Sequence, residues 1–186
     1  RLRRIFETAD ALILADTRLI INPALFWVDA WALDHVLTEL DGALRDPRAQ
    51  SGDHTARALV NATLAIYAGP FLPDEAEQPS YIAYREQLRA KLLRSLARVA
   101  KRWEEAGTHE AAVDAYLQLI DADELCEAFY RGLMQCYQRQ GELVEALSTY
   151  ERLRTLLATR LNTTPAPETQ AVYAALLTPR AGAPRA

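Results

Sequence analysis

A pattern that recurs at a fixed interval of 34 residues restricts this chain more than any other feature. Placing Gly107 over Gly141 also brings Leu96 onto Tyr130, Val99 onto Leu133, Trp103 onto Tyr137, Ala112 onto Ala146, Tyr116 onto Tyr150 and Leu119 onto Leu153. One such coincidence would carry little, but seven at one period mark a duplicated unit. The residue types explain themselves physically. Glycine ends a first helix in the left-handed conformation, a small alanine lets a second helix approach it, and the aromatic pairs fill the space between them. Each helix pair then leaves an apolar face that only a neighbouring pair covers.

The rest of the chain reads largely as helix. It has 186 residues, half of them hydrophobic, and only seven glycines, enough for one main domain with a sizeable core. Two apolar runs, Ala11 to Leu14 and Arg18 to Ile21, flank Ala15-Asp16-Thr17 and read as a β-hairpin that Asn22-Pro23 ends. Apolar residues then recur at three- and four-residue intervals through Val28, Trp31, Ala32, His35, Val36 and Leu40. Helices are expected over about 28–46, 54–68, 80–106, 109–121, 124–140, 143–161 and 168–177, with Ser80 capping the long one. Residues 179–186, rich in Ala, Pro, Gly and Arg, bury nothing and are expected to fray. The stretch from Arg1 to Phe6 reads as the end of a basic helix, and a chain that opens on Arg1 reads as a piece of a longer one.

The duplicated unit, from about Leu93 to Ala158, resembles the tetratricopeptide repeat. It departs from that pattern at Glu124 and Ala158, where proline is usual, and at Met134, where a small residue is common. A wider resemblance spans nearly the whole chain. Leu133-Met134, Gly141, Glu145-Ala146-Leu147, Tyr150-Glu151-Arg152, Leu157, Leu161 and Pro165-Ala166-Pro167-Glu168-Thr169 resemble the bacterial transcriptional activator domain. That domain follows an OmpR-like winged helix in regulators of the Streptomyces antibiotic regulatory type and in larger ATPase-bearing activators. Leu2-Arg3-Arg4, the hairpin, and Asn22-Pro23 through Val28-Asp29-Ala30-Trp31 are similar to the junction that leaves such a winged helix, as is the Phe71-Leu72-Pro73 loop before Tyr84-Arg85-Glu86. Where the family commonly has glycine after the helix ending at Leu161, Asn162 stands, the other residue at ease in a left-handed cap. Ala166 replaces a frequent Ser or Gly before the last helix, a loss of about 1 kcal/mol of capping if the geometry is unchanged.

The implied fold is all-α: a tetratricopeptide-like, right-handed helical-hairpin array of about seven helices over residues 24–178, preceded at 1–23 by the hairpin and helix end left from a winged-helix domain. The resemblance implies that Arg1, Arg3, Arg4 and Arg18 contact DNA in the intact protein; on composition alone they equally read as a solvated helix end. On the repeat, the face turned from Trp103 and Tyr137 carries Arg94, Ala97, Lys101, Glu104, Ala128, Arg131, Gln135 and Gln138. Arg94, Lys101, Arg131, Gln135 and Gln138 are the candidate groove for a protein partner, against the plainer reading of a solvated face. Trp27, Trp31, Tyr67, Phe71, Tyr81 and Tyr84 read as core, with an effector pocket as the alternative, and Phe26 and Trp27 are expected to pack the hairpin onto the helices.

Chemistry is what the sequence lacks. His35, His54 and His109 are scattered, and His109-Glu110 has no second histidine three positions on. Asp121-Ala122-Asp123-Glu124 lacks the glycine and distal glutamate of a calcium loop. No catalysis, cofactor or metal is expected. A net charge of −4 excludes a whole-surface nucleic-acid footprint, so DNA binding would come through the winged helix of the full-length protein and not through this chain alone. Cys126 and Cys136, placed ten residues apart on one helix and so about 15 Å apart, cannot bridge each other and fit a reducing cytoplasm. No apolar run suits a membrane span. The expected partner is another protein: a second copy, giving a possible homodimer, or RNA polymerase. The competing reading is a tetratricopeptide adaptor that binds a peptide with no DNA role.

Overall fold

The computed structural model describes residues 6, 8–15, 18–45, 52–69, 71–72 and 79–178. Arg1, Arg3, Arg4, the acidic 73–78 stretch and the 179–186 tail lie outside them. Within the described residues an antiparallel hairpin, β1 (Leu12–Ala15) and β2 (Arg18–Ile21), precedes seven α-helices. These are α1 (Asp29–Arg45), α2 (Gly52–Ile66), α3 (Pro79–Ala106), α4 (His109–Ala122), α5 (Glu127–Gln140), α6 (Leu143–Leu161) and α7 (Pro167–Leu177). The chain forms two compact units, 1–89 and 90–186, with α3 running through the boundary.

In the first unit the hairpin register pairs Leu12 with Ile21, Ile13 with Ile20, Leu14 with Leu19 and Ala15 with Arg18. Asn22 closes it. Its N–H bonds the Ala11 carbonyl at 3.0 Å, its Nδ2 donates to the Asp10 carbonyl at 3.0 Å, and its Oδ1 accepts the Ala24 N–H at 3.0 Å. This side-chain turn is why Asn-Pro ends the strand. Helices α1 and α2 then pack together. The buried stripe of α1 is Ala30, Leu33, Leu37 and Leu40, and α2 buries Ala56, Val60 and Thr63. The stripe expected from the sequence shares Leu40 with this one but is otherwise rotated from it: Trp31 is 41% exposed and His35 lies on the outside. Both faces of α1 carry apolar residues, and the leucine-rich one is buried because it removes more apolar surface from water. Thr63, fully buried, meets its own hydrogen-bond demand by donating to the Leu59 carbonyl at 2.8 Å.

The second unit stacks α4 on α5, α5 on α6, and α7 against both α5 and α6. Gly107 and Gly141 take φ of 81° and 82°, the left-handed caps that the repeat requires. The bonds around them repeat as the residues do. Thr108 N–H reaches the Trp103 carbonyl and Glu142 N–H the Tyr137 carbonyl, each at 2.9 Å, a pair of Schellman caps one repeat apart. Ala112 and Ala146 are both fully buried, as are Leu119 and Leu153. Asn162 adopts φ 51° and ψ 41°, and its N–H bonds the Leu157 carbonyl, so asparagine does perform the cap that glycine commonly performs there.

Three expectations at helix ends are corrected. Helix α3 begins on Pro79, whose missing N–H suits a first helical position, so Ser80 lies inside the helix. Helix α5 begins at Glu127 and not near 124, because a turn intervenes in which Asp123 N–H bonds the Leu119 carbonyl at 2.8 Å and Cys126 N–H bonds the Asp123 carbonyl at 3.3 Å. Cys126 therefore precedes the helix that carries Cys136, and both thiols are free. Met134 fills a cluster with Ala146, Tyr150 and Leu176, flanked by Tyr137, Leu147, Val172 and Tyr173. Its bulk has a place because α7 closes the array, so the departure from a small residue costs no packing.

Candidate interaction surface

Two polar constellations decide which side chains of the repeat remain for a partner. The first centres on Glu104, which helical spacing assigned to the groove and which is instead 1% exposed. Its Oε2 accepts from the Lys101 Nζ at 3.2 Å and from the Tyr116 hydroxyl at 3.1 Å. Oε1 lies 3.3 Å from Arg139 Nη2, an ion contact whose geometry falls short of a hydrogen bond, while Arg139 Nη1 donates to the Glu104 backbone carbonyl at 2.9 Å. A carboxylate can be buried when partners of opposite charge and hydrogen-bond donors surround it. Here they come from three helices, α3, α4 and α5.

Gly132 permits this arrangement. A Cβ there would lie 2.1 Å from Cζ of Tyr116, so the phenol crosses directly over the α5 backbone to reach Glu104. Burial, and then the charge and hydrogen bond of Glu104, push the Tyr116 phenol well above its ordinary range. Burial and the charge of Glu104 likewise push the neighbouring Cys136 thiol up to about 11, against the lowering effect of Arg139 and Lys101.

The second constellation docks α7 onto α5. Glu127 accepts the Ala166 N–H at 2.9 Å and the Thr169 hydroxyl at 2.6 Å, and Thr169 Oγ1 in turn accepts from Arg131 Nη1 at 3.0 Å. Thr169 is fully buried, with both hydrogen-bonding roles of its hydroxyl filled. Ala166 supplies no side-chain cap to α7, and the Glu127 carboxylate stands at that positive helix end in its place. Tyr150 and Tyr173 stack across α6 and α7 at 3.9 Å between centroids, inclined by 14°. Sequence reasoning singles out neither Glu127 nor Gly132. Glu127 and Thr169 are 42 residues apart, and only the docking of α7 brings them together.

The candidate groove residues therefore differ in how free they are. Arg94 is exposed on α3, and Lys101, also exposed, reaches in to Glu104. Arg131 is half-buried and engaged by Thr169, and Gln135 and Gln138 are half-buried on α5. In the first unit Arg18 is exposed at the start of β2 and pairs across the hairpin with Ala15. The aromatic set does not form one core. Phe71 meets Tyr84 edge-on at 5.0 Å and Phe26 meets Phe6 at 5.2 Å, but Trp27 is 74% exposed and does not clamp the hairpin. The hairpin itself exposes Ile13, Leu14, Leu19, Ile20 and Ile21. Among the described residues no helix is long and apolar enough to cross a membrane, and no three His, Cys, Asp or Glu side chains are grouped to hold a metal ion.

The comparisons with known proteins bear on the fold and on the family. Over 95% of its length the chain superposes on EmbR of Mycobacterium tuberculosis, solved in complex with a low affinity phosphopeptide, with a TM-score of 0.64 and 21% sequence identity. It corresponds to 47% of that chain, so it spans about half the length of this neighbour, and the likeness is one of fold. No curated protein matches the sequence. The family described as "Bacterial transcriptional activator domain" matches residues 29–177, which begin with α1 and end with the last residue of α7. By that match, across all seven helices, the chain belongs to the bacterial transcriptional activator domain family.

Proposed function

We propose that this chain is the non-enzymatic interaction domain of a DNA-binding activator, and that its hairpin is the wing of a winged-helix head. The observation that carries the reading is the hairpin's surface: Ile13, Leu14, Leu19, Ile20 and Ile21 are 40–68% exposed on a two-stranded ribbon. Such a ribbon is marginal in water alone and gains stability when a third element covers it. A winged-helix domain supplies that cover, and Arg18 with the basic Arg1, Arg3 and Arg4 would then lie on its DNA-facing side. The full-length regulator should shift promoter DNA at low salt, and this chain alone should not. A full-length protein that leaves every promoter fragment unshifted would overturn the reading in favour of a peptide-binding adaptor.

Partner contact is assigned to the repeat. Arg94 and Lys101 on α3, with Arg131, Gln135 and Gln138 on α5, offer cations and amides to an acidic segment of RNA polymerase or of a second copy. EmbR was solved with a phosphopeptide, but this chain corresponds to half of that one, so the groove's own cations are the argument. Lys101 and Arg131 are tied to Glu104 and Thr169, which makes Arg94 the cation to reverse. Arg94→Glu should weaken polymerase or self-association severalfold and leave the fold intact.

A further inference from the structure

The first unit holds a cavity of about 430 Å³. Its floor and walls are apolar: Ala30 and Leu33 of α1, Ile66 at the end of α2, Phe71 from the following loop and Leu88 of α3. The volume falls within the range of small-molecule sites. The loop wall is held in place from outside. Arg85 Nε donates to the Phe71 carbonyl at 2.7 Å and its Nη2 to the Leu72 carbonyl, while Tyr84 takes the Phe71 ring edge-on. Leu72 sits at φ +45°, a left-handed conformation that a branched apolar residue rarely adopts. The Arg85 guanidinium thus bonds two successive carbonyls of this wall.

Among the described residues that line the cavity, Asp29 alone is charged. Its Oδ1 accepts the Ala30 N–H at 2.7 Å. Burial, and then the charges of Asp34 and Asp29 on α1, raise the nearby Tyr84 phenol. That corner of the cavity is therefore electronegative and the remainder is apolar.

We propose that the cavity binds a small organic ammonium compound, its ring or chain seated against Ala30, Leu33, Ile66, Phe71 and Leu88 and its nitrogen paired with Asp29. This inference is independent of the proposed function. The test uses 2-phenylethylamine as the cationic probe and 2-phenylethanol as its neutral counterpart, titrated into the 186-residue chain and followed by methyl NMR. Saturable shifts should be confined to the methyls of Ala30, Leu33, Ile66 and Leu88. The amine should bind about three- to fivefold more tightly than the alcohol, the range of a partly exposed ion pair. Asp29→Asn, which keeps an acceptor for the Ala30 N–H, should erase that difference. Ala68→Trp, which fills the mouth from an exposed position, should abolish binding of both compounds with the unfolding midpoint unchanged. No saturable shift with either compound, shifts spread beyond the cavity, or an amine preference that survives Asp29→Asn would each overturn the proposal.

Discussion

The two units of this chain solve the same problem, the burial of amphipathic helices, with different degrees of closure. In residues 90–186 the repeat is tied together by its own contacts, although Leu143, Val144, Leu161 and Leu177 stay exposed. Both left-handed glycine caps are bonded alike, a buried carboxylate has partners from three helices, and α7 ends the stack on a polar latch. In residues 1–89 the α1 and α2 pair is closed, but the hairpin and the stretch after it leave Leu14, Ile20, Leu25 and Trp27 to solvent. The comparison teaches that the repeat is held by polar contacts between its own helices, whereas the hairpin leaves most of its apolar side chains exposed.

The largest effect that tests this contrast comes from the same substitution made in each unit. Gly132→Ala puts a methyl where the Tyr116 ring lies, so that ring, buried and bonded to Glu104, must shift. Overpacking together with a lost buried hydrogen bond should cost about 2–3 kcal/mol. Gly42→Ala, in α1 with nothing within 4 Å of the new Cβ, should instead stabilise by about 0.5–1 kcal/mol through the lower flexibility of the unfolded chain. Urea unfolding followed by far-UV circular dichroism reads the helices of both units, while fluorescence of Trp103, 4% exposed, reports on the second alone. Equal effects at the two glycines would show that Tyr116 is free to move and that the second unit is less tightly fixed than its hydrogen bonds suggest.

A smaller effect belongs to pH. The Cys136 thiol rises from about 9 to about 11 in the folded protein because burial disfavours the thiolate. The folded state holds this proton more tightly than the unfolded state. Its contribution is therefore complete below pH about 9 and is lost as the pH climbs through about 11, on the order of 2 kcal/mol. Tyr116, raised by burial and Glu104, adds a loss of the same sign at still higher pH. Urea midpoints measured between about pH 8 and 10.5 should fall more steeply for the natural chain than for Cys136→Ala. Parallel slopes would contradict the assignment. Iodoacetamide near neutral pH should label Cys126, which is half-buried ahead of α5, before it reaches Cys136.

What the chain reveals in advance follows the range of the interactions. Helix ends set by local backbone chemistry are readable: Gly107, Gly141 and Asn162 all take the left-handed conformation that their side chains permit. The hairpin is readable from two apolar runs, with the first strand displaced by one residue. The face of α1 is not, because Trp31 and Ala32 on one side compete with Leu33 and Leu37 on the other, and the choice depends on α2. Glu104 escapes for the same reason. Its helical position points to the groove, while its burial depends on Tyr116, 12 residues away, and Arg139, 35 residues away. Long-range polar pairing has no period, so no pattern in the chain announces it.

Asn162 allows a sharper comparison with the repeat glycines at a cost of about 1 kcal/mol. Asn162→Ala forces a Cβ-bearing side chain with no polar compensation into φ 51°, and should destabilise by about that amount. Asn162→Gly should be neutral or slightly stabilising, since glycine adopts that conformation freely. In thermal melts the alanine variant should therefore fall below the natural chain and the glycine variant match or exceed it. A harmless Asn162→Ala would mean that α6 ends without needing the left-handed turn that bonds Asn162 N–H to the Leu157 carbonyl.

The smallest expected change in this chain is also the most telling about its hairpin. Leu14 and Leu19 face each other across the hairpin and are 68% and 52% exposed, so replacing both with Lys removes little buried surface. The unfolding free energy of the isolated chain should move by no more than about 0.5 kcal/mol, as for other surface positions. On the proposed reading, the same pair in the full-length regulator would place two charges between the hairpin and the rest of the head, where unpaired charge is costly. DNA binding should then weaken although neither leucine reaches DNA. If the double variant instead unfolds the isolated chain, the hairpin already belongs to a core of its own, and the contrast between a repeat held by its own contacts and an exposed hairpin fails.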